Sequence, residues 1–345
     1  MRSGTGDRRA KAGFMFGYIV RRIIAAFLVV VITSMCVFAL FFLGPSNPAD
    51  AICQRSGRCT AARQAALEHE LGLDQSVVSQ YGAFVKGLFV DREIQMGATY
   101  HCDAPCLGIS YISRQEVRKE MIDKFPVTIA VAVGGSIIFL TVGVTMGALA
   151  ARWRGSITDR SLVTGSLMMS SVPEYVICLT AWIYLVNEWG IFKDGDSYLP
   201  LTQDPKAWFG ALLLPWLILG LTSSTDYARF TRGAMAEVLG EDYIRTAMAK
   251  GISANRVVFG HALRAAIVPI VTIFGLDFAG LLTGTIFIEY IFDLDGLGNW
   301  SIDALSPVDF PVLAASVLVA AVLIVIANLF VDILYSFIDP RVRLA

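Results

Sequence analysis

Two carboxylates stand inside otherwise apolar runs, Glu174 directly after Pro173 and Asp277 within Ala265 to Ile288. A carboxylate in hydrocarbon is costly and normally faces a bundle interior or water, so each is a candidate for contact with a polar solute or a proton. Pro173 lacks an N–H, which frees a carbonyl and opens a helix beside Glu174. The competing reading for both is a hydrogen bond to a neighbouring helix or a partner subunit, and Asp277 is assigned to it. Cys53, Cys59, Cys102 and Cys106 share one polar segment, while Cys36 and Cys178 lie in apolar ones. An even cluster outside the membrane predicts one or two disulfides, with three pairings open. His101, Cys102 and Cys106 match no standard metal spacing, so no metal is expected. No GxxxxGK[ST] loop and no catalytic triad occur, so the chain is expected to be no enzyme and to bind no cofactor of its own.

The elements that must position these residues follow from composition. The chain has 345 residues, 55% of them hydrophobic, and a mean hydropathy of +0.62. So much apolar surface fits an integral membrane protein, and a net charge of −1 argues against a nucleic-acid partner. Uncharged runs predict an all-α fold with six transmembrane helices. The first is 23–49, behind a basic segment 1–22, and its length exceeds that of a signal-peptide core. Residues 50–124 form a large loop, read as two short helices broken at Gly72. Residues 125–338 supply the other five helices: 125–151, 161–186 interrupted at Pro173, 207–225, 265–288 and 310–331. A short tail, 339–345, ends the chain.

Basic residues set the orientation. With the N-terminus inside, the cytosolic segments carry Arg8, Arg9, Arg152, Arg154, Arg229, Arg232, Arg245, Lys250, Arg256 and others. The two short outer loops then carry only Lys193 and Lys206. Both termini and the loop between the fourth and fifth helices are therefore expected in the cytosol, and the cysteine loop outside.

That cytosolic loop, 233–265, is the most structured polar stretch. Met235, Leu239, Tyr243 and Ala247 recur at i+4, predicting one apolar face of a short helix. Gly251 suits a left-handed helix end, Ser253 can cap a second helix, and Pro269 would kink it. The pattern predicts a surface held by a soluble partner.

The run Arg245-Thr246-Ala247-x3-Gly251-x9-His261-x-Leu263 resembles the coupling-loop motif E-A-A-x3-G-x9-I-x-L-P of ABC importer permeases. Ala247, Gly251 and Leu263 match, while Arg245, Thr246, His261 and Arg264 depart from the pattern. The longer string DYIRTAMAKGISANRVVFGHALRAAIVP is similar to the form found in dipeptide, oligopeptide and nickel importer permeases. LGLDQSVVSQY (71–81), with Ser76 where that family has proline, GTIFIEYIFDLDGLGNW (284–300) and DILYSFIDPRVR (332–343) extend the likeness. DREIQMGATYHCDAPCLGISY departs as an insertion.

The resemblance implies the first permease subunit of such an importer, in the plasma (inner) membrane of a prokaryote. It would work with a second homologous permease, two cytosolic ATPases that carry ATP and Mg, an extracytoplasmic binding protein and membrane lipid. It assigns ATPase coupling to Glu237, Asp242, Arg245, Thr246, Ala247, Lys250 and Gly251, with His261 packing the loop. Glu289, Gly296 and Gly298 are expected near the outer surface, either shaping an outer gate or simply ending the helix. On the functional reading of the buried carboxylates, Glu174 and Asp277 line the translocation path beside a peptide. A proton-coupled secondary transporter relaying through Glu174 and Asp277, or a membrane sensor with a cysteine-loop receptor, are the alternatives.

Overall fold

A computed structural model describes residues 4–43, 49, 50, 53, 60–70, 73–96, 98–306 and 308–338. Cys59, the expected helix break at Gly72 and the tail 339–345 lie outside the described residues. Among the described residues, five helices are long and apolar enough to cross a membrane, or six if one bent pair counts as a single span. The chain divides into two compact units, one running up to Ile122 with Asp303–Phe337 added, the other Asp123–Ile302.

The first unit holds α1 (Gly4–Leu43), α2 (Ala61–Glu70), α3 (Val77–Gly87) and a hairpin of β1 (Arg92–Gln95) and β2 (Thr99–Cys102). Near the end of the apolar span Val20–Leu40 of α1 stands Phe38, whose ring packs on Tyr81, Phe84 and Phe310 at 4.9–5.3 Å. Such aromatic contacts add about 0.5–1.5 kcal/mol each beyond area burial. Ser76 caps α3 by accepting from Ser79 N, so the serine that replaces proline here has a local task. The hairpin is a short two-stranded addition to a mostly helical chain, which remains of the expected all-α class. Arg92 pairs with Cys102 and Gln95 with Thr99, antiparallel, within the inserted stretch. Cys102 and Cys106 are disulfide-bonded, with Cα atoms 5.5 Å apart, and Cys53 is also in a disulfide. Cys106 N donates to Gly87 O at 2.9 Å, which ties the cystine loop to the end of α3.

In the same unit Asp309, 2% exposed, precedes α12 (Phe310–Ile338). Its carboxyl accepts from Ser110 Oγ at 2.5 Å, Tyr111 N at 3.0 Å and Ile112 N at 3.3 Å. These bonds satisfy a buried turn that has no strand or helix partner. Burial raises the Asp309 carboxyl above the ordinary carboxylate range, although all three hydrogen bonds pull the other way.

The second unit is helical throughout. It contains most of α4 (Val117–Arg152), then α5 (Ile157–Ser171) and α6 (Glu174–Ala181), which a wider π turn, Trp182–Glu188, continues. α5 and α6 form the bent pair, turning by 84° at Val172–Pro173. This is where a residue without an N–H cannot continue the ladder. Counted as one span, the pair begins at Ile157, ahead of the expected Ser161, and its break falls at Pro173, where the sequence implies an interruption.

α7 (Pro205–Val238) opens with Asp204 accepting from Lys206 N at 2.8 Å and has proline in its first turn. It runs well past the expected end at Thr225. α7 crosses α4 closely. A Cβ on Gly134 would fall inside the Trp216 indole, and one on Gly143 would lie 2.6 Å from Tyr227 Cβ. Trp216 Nε1 donates to Ala130 O at 2.8 Å across the same seam. Small residues at such crossings let backbones approach, the main source of helix association in lipid. α8 (Asp242–Ala249), a π turn Arg256–Ala262 leading into α9 (Leu263–Leu282), α10 (Ile286–Ile291) and α11 (Leu297–Asp303) complete the unit. α9 runs through Pro269 without interruption and stops at Leu282, short of the expected Ile288, because Thr283–Thr285 leave the helix.

Candidate functional site

The polar connection between α7 and α9 is built on a small buried cluster to which α8 contributes one fully buried side chain. Ile244 of α8 is fully buried among Met235, Val257, Val258, Ala262, Ala148 and Ala151. Around it α8 turns polar groups outward: Tyr243 and Met248 are each 50% exposed, and Arg245 reaches only Asp242, at 3.6 Å, in open solvent. An ion pair this exposed contributes little, about 0–1 kcal/mol. Thr246 Oγ1 donates back to Asp242 O at 2.9 Å. Gly251 closes the helix at φ +78°, with Ile252 N donating to Ala247 O, as its sequence position predicts.

The expected apolar face is wrong in detail. Met235 belongs to α7, and so does the exposed Glu237 on its last turn. Leu239 and Gly240 form the turn between the helices. The i+4 series therefore spans two helices, and the residue that α8 buries is Ile244, with Tyr243 outside. Lys250 is exposed, and so is His261, whose expected packing role falls to Val257, Val258 and Ala262. The segment is braced from beneath by Arg152 of α4, which donates to Asn255. A second brace escaped the sequence reading: Arg232 of α7 makes a fork to Asp159 of α5 at 2.6 and 2.9 Å, and Asp159 also accepts from Gly155 N. Bidentate pairs of this kind fix orientation as well as adding energy. The only sequence signal was an acid placed three residues after a capping Ser156.

Glu289, Gly296 and Gly298 come together as one knot. Glu289 is wholly buried. Its carboxyl accepts from Thr285 N and Oγ1 at 3.1 and 3.0 Å, Gly298 N at 2.6 Å and Asn299 N at 3.2 Å. It thereby caps the start of α11 and ties it to the start of α10. A Cβ on Gly298 would lie 2.9 Å from Glu289 Oε2 and from Ile286 Cα, and one on Gly296 would overlap the same carboxyl. Thr128 Oγ1 of α4 accepts from Leu297 N at 2.9 Å and completes the knot.

The two intramembrane carboxylates do not meet. Asp277 of α9 accepts from Tyr227 OH at 2.9 Å, a helix-to-helix bond of the kind assigned to it. Glu174 is half-buried on α6, one turn before the fully buried Cys178 and on the same stripe as Ile177 and Ala181, which pack on the unit's core. Among the described residues no hydrogen bond or ion pair engages it. No group of three or more metal-ligating side chains occurs among the described residues either.

Comparisons with known proteins agree along the chain. The family of binding-protein-dependent transport system inner membrane components matches residues 143–344, and the N-terminal family of the same membrane components matches residues 15–132. The dipeptide transport system permease protein DppB of Escherichia coli (strain K12) is 35% identical over 353 residues, covering 95% of this chain and 99% of its own. The di/tripeptide transport system permease protein DppB of Pseudomonas aeruginosa (strain UCBPP-PA14) is 34% identical over 329 residues, covering 90% of this chain and 94% of its own. With both family matches and full-length relatives in agreement, the chain belongs to the binding-protein-dependent transport system inner membrane components, multi-pass bacterial permeases of ABC importers.

Proposed function

We propose that this permease forms half of a pore that carries di- or oligopeptides, or a similar solute, inward by alternating access. The relatives' names support peptides as the cargo. The other half would be a second homologous permease. Two cytosolic ATPases, binding ATP and Mg, would supply the energy that a chain without a P-loop cannot. An extracytoplasmic binding protein would deliver the solute. In this reading 1–22, 233–265 and 339–345 face the cytosol and 50–124 face outside, where cystines are stable. The observation that carries the proposal is α8, a helix anchored through the buried Ile244 with Ala247 beside it, and with Tyr243, Arg245 and Met248 presented to solvent. Glu237, Asp242, Thr246, Ala247 and Lys250 would complete its contact with the ATPase, and Gly251 would turn the chain away.

Glu174 is the better candidate for the solute path, because it lies on the inward stripe of a broken helix and has no hydrogen-bond or ion-pair partner among the described residues. Asp277 is assigned to bracing α7 against α9. Glu289, Gly296 and Gly298 would hold an outer gate in shape, and the Cys102–Cys106 bridge would stiffen the surface that receives the binding protein.

Affinity capture of the tagged chain in mild detergent tests this, with Gly251→Asp as the comparison. Space around Gly251 is open, so the variant acts through its left-handed backbone and not through a clash. Two P-loop ATPases and a second permease are expected with the parent chain, and the ATPases are expected to be lost from the variant. A chain recovered alone that still moves solute under a proton gradient would overturn the proposal in favour of a relay through Glu174.

A further inference from the structure

In the first unit, a cavity of about 630 Å³ lies between α3, the β1–β2 hairpin and the ends of α1 and α12. Its volume is within the range of small-molecule sites, about 300–1,000 Å³. Phe38, Phe84 and Phe310 form an apolar floor. Phe38 lies just inside the end of the apolar span Val20–Leu40, and Phe310 opens the span Phe310–Val331. The floor is therefore at the depth where hydrocarbon gives way to lipid headgroups. At the rim, the turn that closes α3 leaves Phe89 79% and Val90 53% exposed. Two adjacent apolar side chains on a turn suit the membrane interface better than water.

The lining also carries charge: Arg92 and Lys86 stand among its residues, with Asp74, Asp91 and Glu93. Arg92 is half-buried, and among the described residues no hydrogen bond or ion pair engages its guanidinium. Burial lowers its affinity for the proton, and the one titratable neighbour opposing this is Tyr111. The three acids of the lining, Asp74, Asp91 and Glu93, are all exposed, and Asp91 accepts from Ala104 N at 2.7 Å, so Arg92 is the charged group of the lining withdrawn from solvent. A half-buried guanidinium offers five donors in a planar fork that matches phosphate oxygens.

We propose that this cavity binds the headgroup of an anionic phospholipid, with its phosphate on Arg92 and Lys86 and its glycerol end against Phe38 and Phe310. The lipid would fasten the inserted loop to the membrane surface at a fixed height. The floor and the exposed turn select lipid over a free anion, because inorganic phosphate has no use for either.

The test is native mass spectrometry of the whole importer, purified in mild detergent and exchanged into phosphatidylglycerol or phosphatidylcholine, with inorganic phosphate as a third probe. The parent complex is expected to keep phosphatidylglycerol through delipidation. Arg92→Gln is expected to lower that retention about tenfold, as the loss of a charge-assisted contact implies, whereas Arg92→Lys should retain most of it. Phe89→Ser should weaken lipid retention and leave phosphate binding unchanged. Equal retention by the parent and Arg92→Gln would overturn the proposal, as would equal loss in Arg92→Lys and Arg92→Gln. Displacement of the lipid by millimolar inorganic phosphate would also overturn it, leaving a small-anion site.

Discussion

Two polar connections in the second unit make opposite use of their side chains. Between α7 and α9, an apolar side of Ile244, Val257, Val258 and Ala262 is buried, and the charged groups of α8 face solvent with weak partners. Between α9 and the end of α11, Glu289 is buried and four donors converge on it. The knot around Glu289 is complete within the chain, so its sequence is constrained by folding. The α8 surface is incomplete by the same measure, which is what the proposed ATPase contact requires. On that proposal, stability and assembly fall to different turns.

Substitution can break that contrast. Glu289→Ala should have the largest effect, since it strands several buried donors at once. A loss of about 3–5 kcal/mol is expected, read as a fall in thermal unfolding temperature in detergent and in membrane yield. A melting profile like the parent's would mean that water replaces the carboxyl and that the knot is no more closed than α8.

Asp309 sharpens the comparison, because it is the first unit's own buried acid pinning a turn. Its folded carboxyl titrates above the unfolded value of about 3.9, so the folded state holds the proton more tightly. The resulting stabilisation is full below the unfolded value and is lost as pH rises through the folded one. Resistance of the first unit to proteolysis should therefore increase from neutral pH towards acid, and Asp309→Asn should flatten that slope. A slope unchanged in the variant would place the titration elsewhere.

The smallest effect on folding is expected at α8. Tyr243→Ala should change stability by no more than about 0.5 kcal/mol while reducing co-purification of the ATPases. If the variant unfolds and still assembles, the division of labour is reversed.

The readable part of this molecule was whatever depends on composition or on a few consecutive residues. Apolar runs gave the spans, Pro173 the break, Gly251 the left-handed helix end, and the cysteine cluster the presence of a bridge. Errors began where two elements met. The Met235–Ala247 series was drawn as one helix, but the Leu239–Gly240 turn resets the rotation, so Ile244 faces inward in place of Tyr243. The β1–β2 hairpin was passed over because four-residue strands carry too little alternation to stand out. Partners were hardest to foresee. Arg232 finds Asp159, Leu297 finds Thr128 and Tyr111 finds Asp309 across long stretches of chain, with no local pattern to announce any of them.

The glycine seam between α4 and α7 has a mechanical corollary. Trp216 is seated where a side chain of Gly134 would be, while at Gly143 the α7 backbone itself and Tyr227 Cβ come close, so sliding or rolling would drive a ring into backbone at one contact and backbone into backbone at the other. The pair is suited to the part of a stator. In the alternating access proposed above, the motion would hinge where the ladder is already interrupted, at Val172–Pro173 or at Thr283–Thr285, and swing around this strut.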